Sequence, residues 1–276
     1  MTSRNEAIDA QPPTILLKDY RPSAYLIDEV ALAVDLFEER VRVRSRLVCR
    51  RNPQAAPEAP LVLQGRDLLL KSLVLDEVAL TPDQYRLNGE TLIIPTVPER
   101  FVLAVETELY PQNNTSLDGL YRSSGNFCTQ CEAEGFRKIT YFLDRPDVLA
   151  RYEVTITAEQ KRYPVLLANG NLLEAGALPQ GRHFARWQDP FPKPSYLFAM
   201  VAGNLVRVGD SFVTRSGRRV TLSIYVEAHN RDKCDHAMAS LKKAMLWDEE
   251  TFGLEYDLDQ YMIVAVDDFN MGAMEN

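Results

Sequence analysis

The stretches Val30-Ala31-Leu32-Ala33-Val34-Asp35-Leu36 and Val41-Arg42-Val43-Arg44-Ser45-Arg46-Leu47 set the character of this chain. In both, apolar residues recur at every second position. Successive side chains of a strand point to opposite faces, so a period of two marks strands buried on one side. The first strand reads back to Ala24 through Tyr25 and Ile27 and forward to Phe37, and the second reaches Cys49. Arg40, Arg42, Arg44 and Arg46 share the opposite face. They read as a solvated strand face, with a phosphate-binding stripe as the alternative.

The pattern continues outward from there. Asn52 to Pro60 is rich in Pro and Ala and must be a loop, because proline cannot donate to a ladder. Leu61 to Leu80 is rich in Leu and Val. Asn88-Gly89 lies between Tyr85-Arg86-Leu87 and Leu92-Ile93-Ile94, which predicts a hairpin, since Asn-Gly suits the primed turns. Phe101 to Tyr110 and Arg151 to Ala158 alternate again. Asn169-Gly170 after Val165-Leu166-Leu167 is a second hairpin candidate. Short strands between turn signals predict an all-β sandwich over residues 14–204, preceded by a polar, disordered tail from Met1 to Pro13.

The pattern changes near Leu205. Phe212 to Arg219 and Val220 to Ala228 read as a hairpin closing at Ser216-Gly217. A helix follows from about Lys233 to Phe252, with Asp232 as candidate N-cap and Gly253 as its stop. Cys234, Met238, Leu241, Met245 and Phe252 recur at helical spacing and predict a core-facing stripe. A strand from Tyr261 to Val266 leads into the last residues. The fold class is therefore mainly β: a β-sandwich over 14–204, then the incomplete opening of an α+β domain over 205–276.

The formal net charge of -8, from 31 basic and 39 acidic residues, argues against nucleic acid as a partner, because polyanion binding needs a concentrated basic surface. No apolar run approaches the ~20 residues that span a bilayer, and the start has no signal-peptide core. With only four cysteines, a reducing, cytoplasmic setting is expected.

Cys128-Thr129-Gln130-Cys131 is a CxxC, but its flanks read as loop and no second CxxC completes a four-ligand zinc site. The preferred reading is small loop residues that position their neighbours. His183, His229 and His236 have no metal-site spacing, and surface or capping roles are expected for them. No phosphate loop of the GxxxxGK or GxGxxG kind occurs. Met271-Gly272-Ala273-Met274 is too apolar and too small for an ordinary surface turn. Its small residues would let another backbone approach an edge strand, and Glu275 at its end could receive an amino group.

Cys128-Thr129-Gln130-Cys131-Glu132-Ala133-Glu134-Gly135-Phe136-Arg137 resembles a loop of the bacterial aminopeptidase N family. Tyr141 to Arg151, Trp187 to Pro194, Trp247 to Glu250 and Gly253 to Leu258 continue the match into the closing GAMEN, Gly272 to Asn276. The resemblance spans Asp19 to Asn276. It implies an N-terminal β-sandwich or saddle followed by a thermolysin-like catalytic domain, and zinc-dependent removal of N-terminal amino acids from peptides. Epoxide hydrolases with a related motif are the alternative relatives, but Ala273 and the bacterial-type loop favour the peptidase. The implied partners are peptides with a free N-terminus and the remainder of the polypeptide.

Carried over by resemblance, Glu275 and Glu132 grip the substrate α-ammonium with Gln130 assisting. Gly272 and Ala273 bind substrate through their backbone, Met271 walls the first side chain, and Met274 and Asn276 complete the strand. Two carboxylates held close repel, and a bound ammonium relieves that repulsion through charge-assisted hydrogen bonds of about 1.5–3 kcal/mol each. An internal peptide segment offers no ammonium, so the site would select chain ends. The resemblance also implies a zinc centre of HExxH type, with ligands beyond residue 276. No His-Glu dipeptide occurs in these 276 residues, so no catalytic residue and no metal ligand is assigned here. The alternative is a non-catalytic β-sandwich that binds peptides or partners.

Overall fold

The structure, a computed structural model, describes residues 14, 16–56 and 58–276. The tail expected over Met1–Pro13 lies outside them. Strands β1 (Tyr25–Leu36) and β2 (Val41–Arg51) pair antiparallel, with the alternating burial that their period dictates. A β-bulge between Ile27 and Glu29 breaks the period once and lets Ile27 and Val30 both face the core. After the Pro-rich loop come β3 (Leu61–Gln64), β4 (Leu69–Leu75) and β5 (Val78–Ala79). Next are β6 (Arg86–Asn88), β7 (Thr91–Ile94) and β8 (Arg100–Leu109). Then follow β9 (Gly119–Ser123), β10 (Asn126–Gln130), β11 (Leu149–Glu159) and β12 (Val165–Ala168). β13 (Asn171–Leu178), β14 (Arg182–Pro194) and β15 (Met200–Gly203) complete this part.

Eight of these strands form one sheet in the order β13-β14-β11-β1-β2-β8-β4-β5, antiparallel throughout except where β1 meets β11. β12-β15-β10-β9 form a four-stranded sheet, and β3-β7-β6 a small third one. One hydrophobic core joins them, from Tyr25 to Ala202. At its centre Phe136 meets Phe142 and Phe198 edge-on, with ring centroids 4.7 and 5.1 Å away. This is the mainly β architecture expected.

The Asn88-Gly89 hairpin forms: β6 ends on Asn88, which pairs with Thr91 across a turn of Gly89 and Glu90. The second hairpin does not. β12 pairs with β15 and β13 with β14, so Asn169-Gly170 is a corner between two sheets. Asn169 serves the corner by donating to the Leu197 carbonyl and accepting from the Ala199 amide. Gly170 has φ +87°, and a Cβ there would lie 2.1 Å from the Gln188 carbonyl oxygen. The turn-forming dipeptide was legible; which strands it joins was not.

Beyond residue 204, β16 (Val206–Val213) and β17 (Arg219–Val226) form the expected hairpin around Ser216-Gly217, and β18 (Gln260–Val264) adds parallel to β17. Helix α1 (Asp235–Phe252) covers one face: Met238, Leu241 and Met245 pack with Val220, Leu222, Ile224 and Val226 in a second core. Tyr225, Met262 and Val264 turn the other way, onto the large core. Gly253 stops the helix as expected, at φ +69°, its amide returning to the Glu249 carbonyl at 3.2 Å.

Two helix details need correction. Asp232 lies within a short 3-10 segment, Ala228–Lys233, and Cys234 takes the N-cap position without a side-chain cap. Phe252 is exposed against Trp247, while Glu249 is buried on the stripe and accepts from the Arg215 amide. Among the described residues no helix is long and apolar enough to cross a membrane.

Candidate functional site

β10 lies between β9 and β15, and all five of its residues are buried. The CxxC therefore does not sit in a loop: Cys128 is a core strand residue, and only Cys131 follows the strand end. A flanking Gly/Ser-rich turn, Ser123-Ser124-Gly125, disguised a short strand whose residues are apolar or neutral. The strand ends on Gln130, fully buried, and delivers Cys131 and half-buried Glu132 to a turn that the Gly135 amide closes on the Cys131 carbonyl at 2.8 Å.

The terminal segment reaches the same place from the other side. The ladder ends at Val264, with the Ala265 amide still donating to Tyr225. The chain then crosses onto the β9–β10 pair. Tyr121 Oη donates to the Asp268 carbonyl at 2.9 Å, Ser123 Oγ to the Asp268 carboxylate at 2.8 Å, and the Asp268 amide returns to Ser123 Oγ at 3.1 Å. Asn270 Nδ2 donates to the Leu117 carbonyl at 3.1 Å. Gln130 Nε2 lies against Met271 Sδ. Asn276 Nδ2 donates to the Leu197 carbonyl at 3.3 Å.

Gln130 and Met271 are thus in direct contact, although 141 residues separate them. Gly272, Ala273, Glu275 and Asn276 are exposed and Met274 is half-buried, a surface to which a ligand has access. The motif is not a strand, however: residues 265–276 belong to no ladder. Gln130 Oε1 is buried without a hydrogen-bond partner among the described residues, an acceptor of the kind that native structures rarely leave unpaired. Tyr121, Ser123 and Asp268 were not singled out from sequence. A hydroxyl meeting a carbonyl across such a separation leaves no local signal.

The other candidates settle individually. Cys49, Cys128, Cys131 and Cys234 are all buried free thiols. Burial pushes the Cys49 and Cys128 thiols up to about 12, the opposite of what a reactive thiol needs. His183 Nε2 contacts the Tyr163 carbonyl at 2.7 Å, and exposed His236 stands at the start of α1. Among the described residues, one group of metal-ligating type comes together: Glu227, His229 and Asp267, their ligand atoms within 4.8 Å of one another. Burial, then the neighbouring Asp267 carboxylate, push the Glu227 carboxyl above its ordinary range. A hydrolytic zinc centre of HExxH type needs two histidines on one helix face, so this donor set does not fit one.

Three arginines of the stripe that runs from Arg40 into β2 are answered by acids on neighbouring strands. Arg40 faces Glu108 at 3.6 Å, Arg42 faces Glu106 at 3.3 Å and Arg44 faces Asp35 at 2.8 Å. The solvated-face reading holds: three of the four arginines face acids, and the fourth, Arg46, is exposed.

A β-sandwich leading into an α+β unit, with a closing segment folded back on the sandwich loops, defines the class. The model of the Peptidase M1 N-terminal domain matches residues 57–197 and that of the Peptidase family M1 domain matches residues 236–276. The chain belongs to peptidase family M1. It is 52% identical over 265 residues to aminopeptidase N of Caulobacter vibrioides and 51% identical over 266 residues to that of Escherichia coli. Both matches cover 96% of this chain, which spans 30% of the length of either relative. The crystal structure of Legionella pneumophila aminopeptidase A in complex with aspartic acid superposes with a TM-score of 0.89 at 41% identity, over 93% of this chain and 30% of that one.

Proposed function

We propose that this chain carries the amine-recognition part of an aminopeptidase that releases N-terminal residues from peptides. In this reading Glu132 and Glu275 bind the substrate α-ammonium and Gln130 assists them. The backbone of Gly272 and Ala273 holds the extended peptide, Met271 walls the first side chain, and Met274 and Asn276 support the segment. The observation that carries the reading is the meeting of Gln130 with Met271, which draws the two separately inferred pieces to one locus. Glu132 and Glu275 then act as acceptors for a cation that only a chain terminus supplies, each contact worth about 1.5–3 kcal/mol.

The cofactor of such an enzyme is zinc, which would activate the hydrolytic water. In this reading its ligands lie beyond residue 276. We also propose that residues 14–204 and 205–276 are the two structural units, supported by their separate hydrophobic cores. A reducing, cytoplasmic setting is supported by the four free cysteines.

Calorimetric titration of the 276-residue chain with dialanine and with N-acetyl-dialanine tests the site. The free-amine peptide should bind at least about tenfold more tightly, the equivalent of one charged hydrogen bond. Equal affinities would refute amine recognition and favour a general peptide-binding module.

A further inference from the structure

We propose that Asp144 is a positioning residue that holds the two halves of the amine site in register. This inference rests on the reading of the site given above. The Asp144 residue is only 2% exposed and lies between two turns. Toward one, its Oδ2 accepts from the Arg137 amide at 3.1 Å and from Arg137 Nε at 3.0 Å. Its backbone carbonyl accepts from Arg137 Nη2 at 3.2 Å. Arg137 follows directly on the turn that bears Glu132, so this side anchors that turn from beneath.

Toward the other, Asp144 Oδ1 accepts from Ser195 Oγ at 2.6 Å. Ser195 opens the short 3-10 segment Ser195–Leu197. The Leu197 and Phe198 carbonyls accept from Asn276 Nδ2 at 3.3 and 3.5 Å. A single buried carboxylate thus links the turn holding Glu132 to the turn that receives the end of the Met271–Asn276 segment. Buried carboxylates persist where their oxygens are hydrogen-bonded and a cation stands opposite, and Asp144 has both. Its three side-chain contacts are directional, so they fix orientation as well as distance. The Phe136–Phe198 contact joins the same two turns by packing alone. It would keep them together, without fixing their angle, when the polar link is removed.

Two variants test this. Asp144→Asn keeps the side-chain volume and removes the charge; Ser195→Ala removes only the arm toward residues 195–198. Each is titrated with dialanine and N-acetyl-dialanine, and amide hydrogen exchange is followed at residues 132–138 and 196–199. The expected result for Asp144→Asn is a loss of about tenfold in dialanine affinity, with N-acetyl-dialanine affinity unchanged. Ser195→Ala should lose about threefold in the same selective way. Exchange should quicken in those two segments while the β1 and β11 amides stay protected. Unchanged selectivity and exchange in folded variants would overturn the inference, and if Asp144→Asn does not fold, Ser195→Ala decides alone. A wild-type chain without amine selectivity sinks the reading of the site, and the exchange data then judge the link by themselves.

Discussion

At the scale of single residues, burial decides which functional groups remain usable. Cys49 and Cys128 are held neutral by desolvation, with thiols at about 12 against an ordinary 9.0. The unfolded chain therefore releases these protons first. Their contribution to stability is whole below about pH 9 and is lost as pH rises toward about 12. Urea midpoints should fall across that window, and substitution of both cysteines by alanine should flatten the fall; an unaltered slope would contradict the burial argument. Glu132 and the GAMEN residues are different in kind, since they remain half-buried or exposed.

At the scale of elements, the period-two pattern located the strands, and the turn residues located most of their ends. Strand partners were less legible. Asn169-Gly170 has the composition of a hairpin turn, yet the chain there changes sheets: β12 pairs with β15 and β13 with β14, both partners later in the sequence. Nothing within the dipeptide encodes that. Gly170→Ala should cost at least about 2 kcal/mol in chemical denaturation, from both the positive φ and the approach to the Gln188 carbonyl. On α1 the apolar stripe named its core residues correctly except at Phe252, which is exposed and meets Trp247 edge-on instead of the core. Leu241→Ala should destabilise the chain by about 2–3 kcal/mol, toward the low end for a leucine because it borders solvent. A loss below about 1 kcal/mol would mean that the stripe does little to hold the helix.

At the scale of the whole molecule, the proposed function assigns recognition to this chain and hydrolysis to residues outside it. Gln130, Glu132 and the Met271–Asn276 segment were named as candidates because their motif has a chemical logic, and Gln130 and Met271 do meet. The contacts that hold them were not legible: Tyr121 with Asp268 and Asp144 with Ser195 join residues far apart in sequence. No histidine here is followed by glutamate. The 276-residue chain with stoichiometric zinc should therefore release no p-nitroaniline from alanine p-nitroanilide, and turnover by a pure sample would overturn that expectation.

The parallel pairing of β1 with β11 has a consequence for how the chain is made. Glu29 to Asp35 lie beside Arg151 to Thr157 at the middle of the eight-stranded sheet. During synthesis β1 can pair with β2 early, but its second edge stays open until about residue 159 has left the ribosome. At roughly 5–20 residues per second that leaves an apolar strand edge uncovered for several seconds or more. The centre of this sheet is among the first parts to emerge and among the last to close.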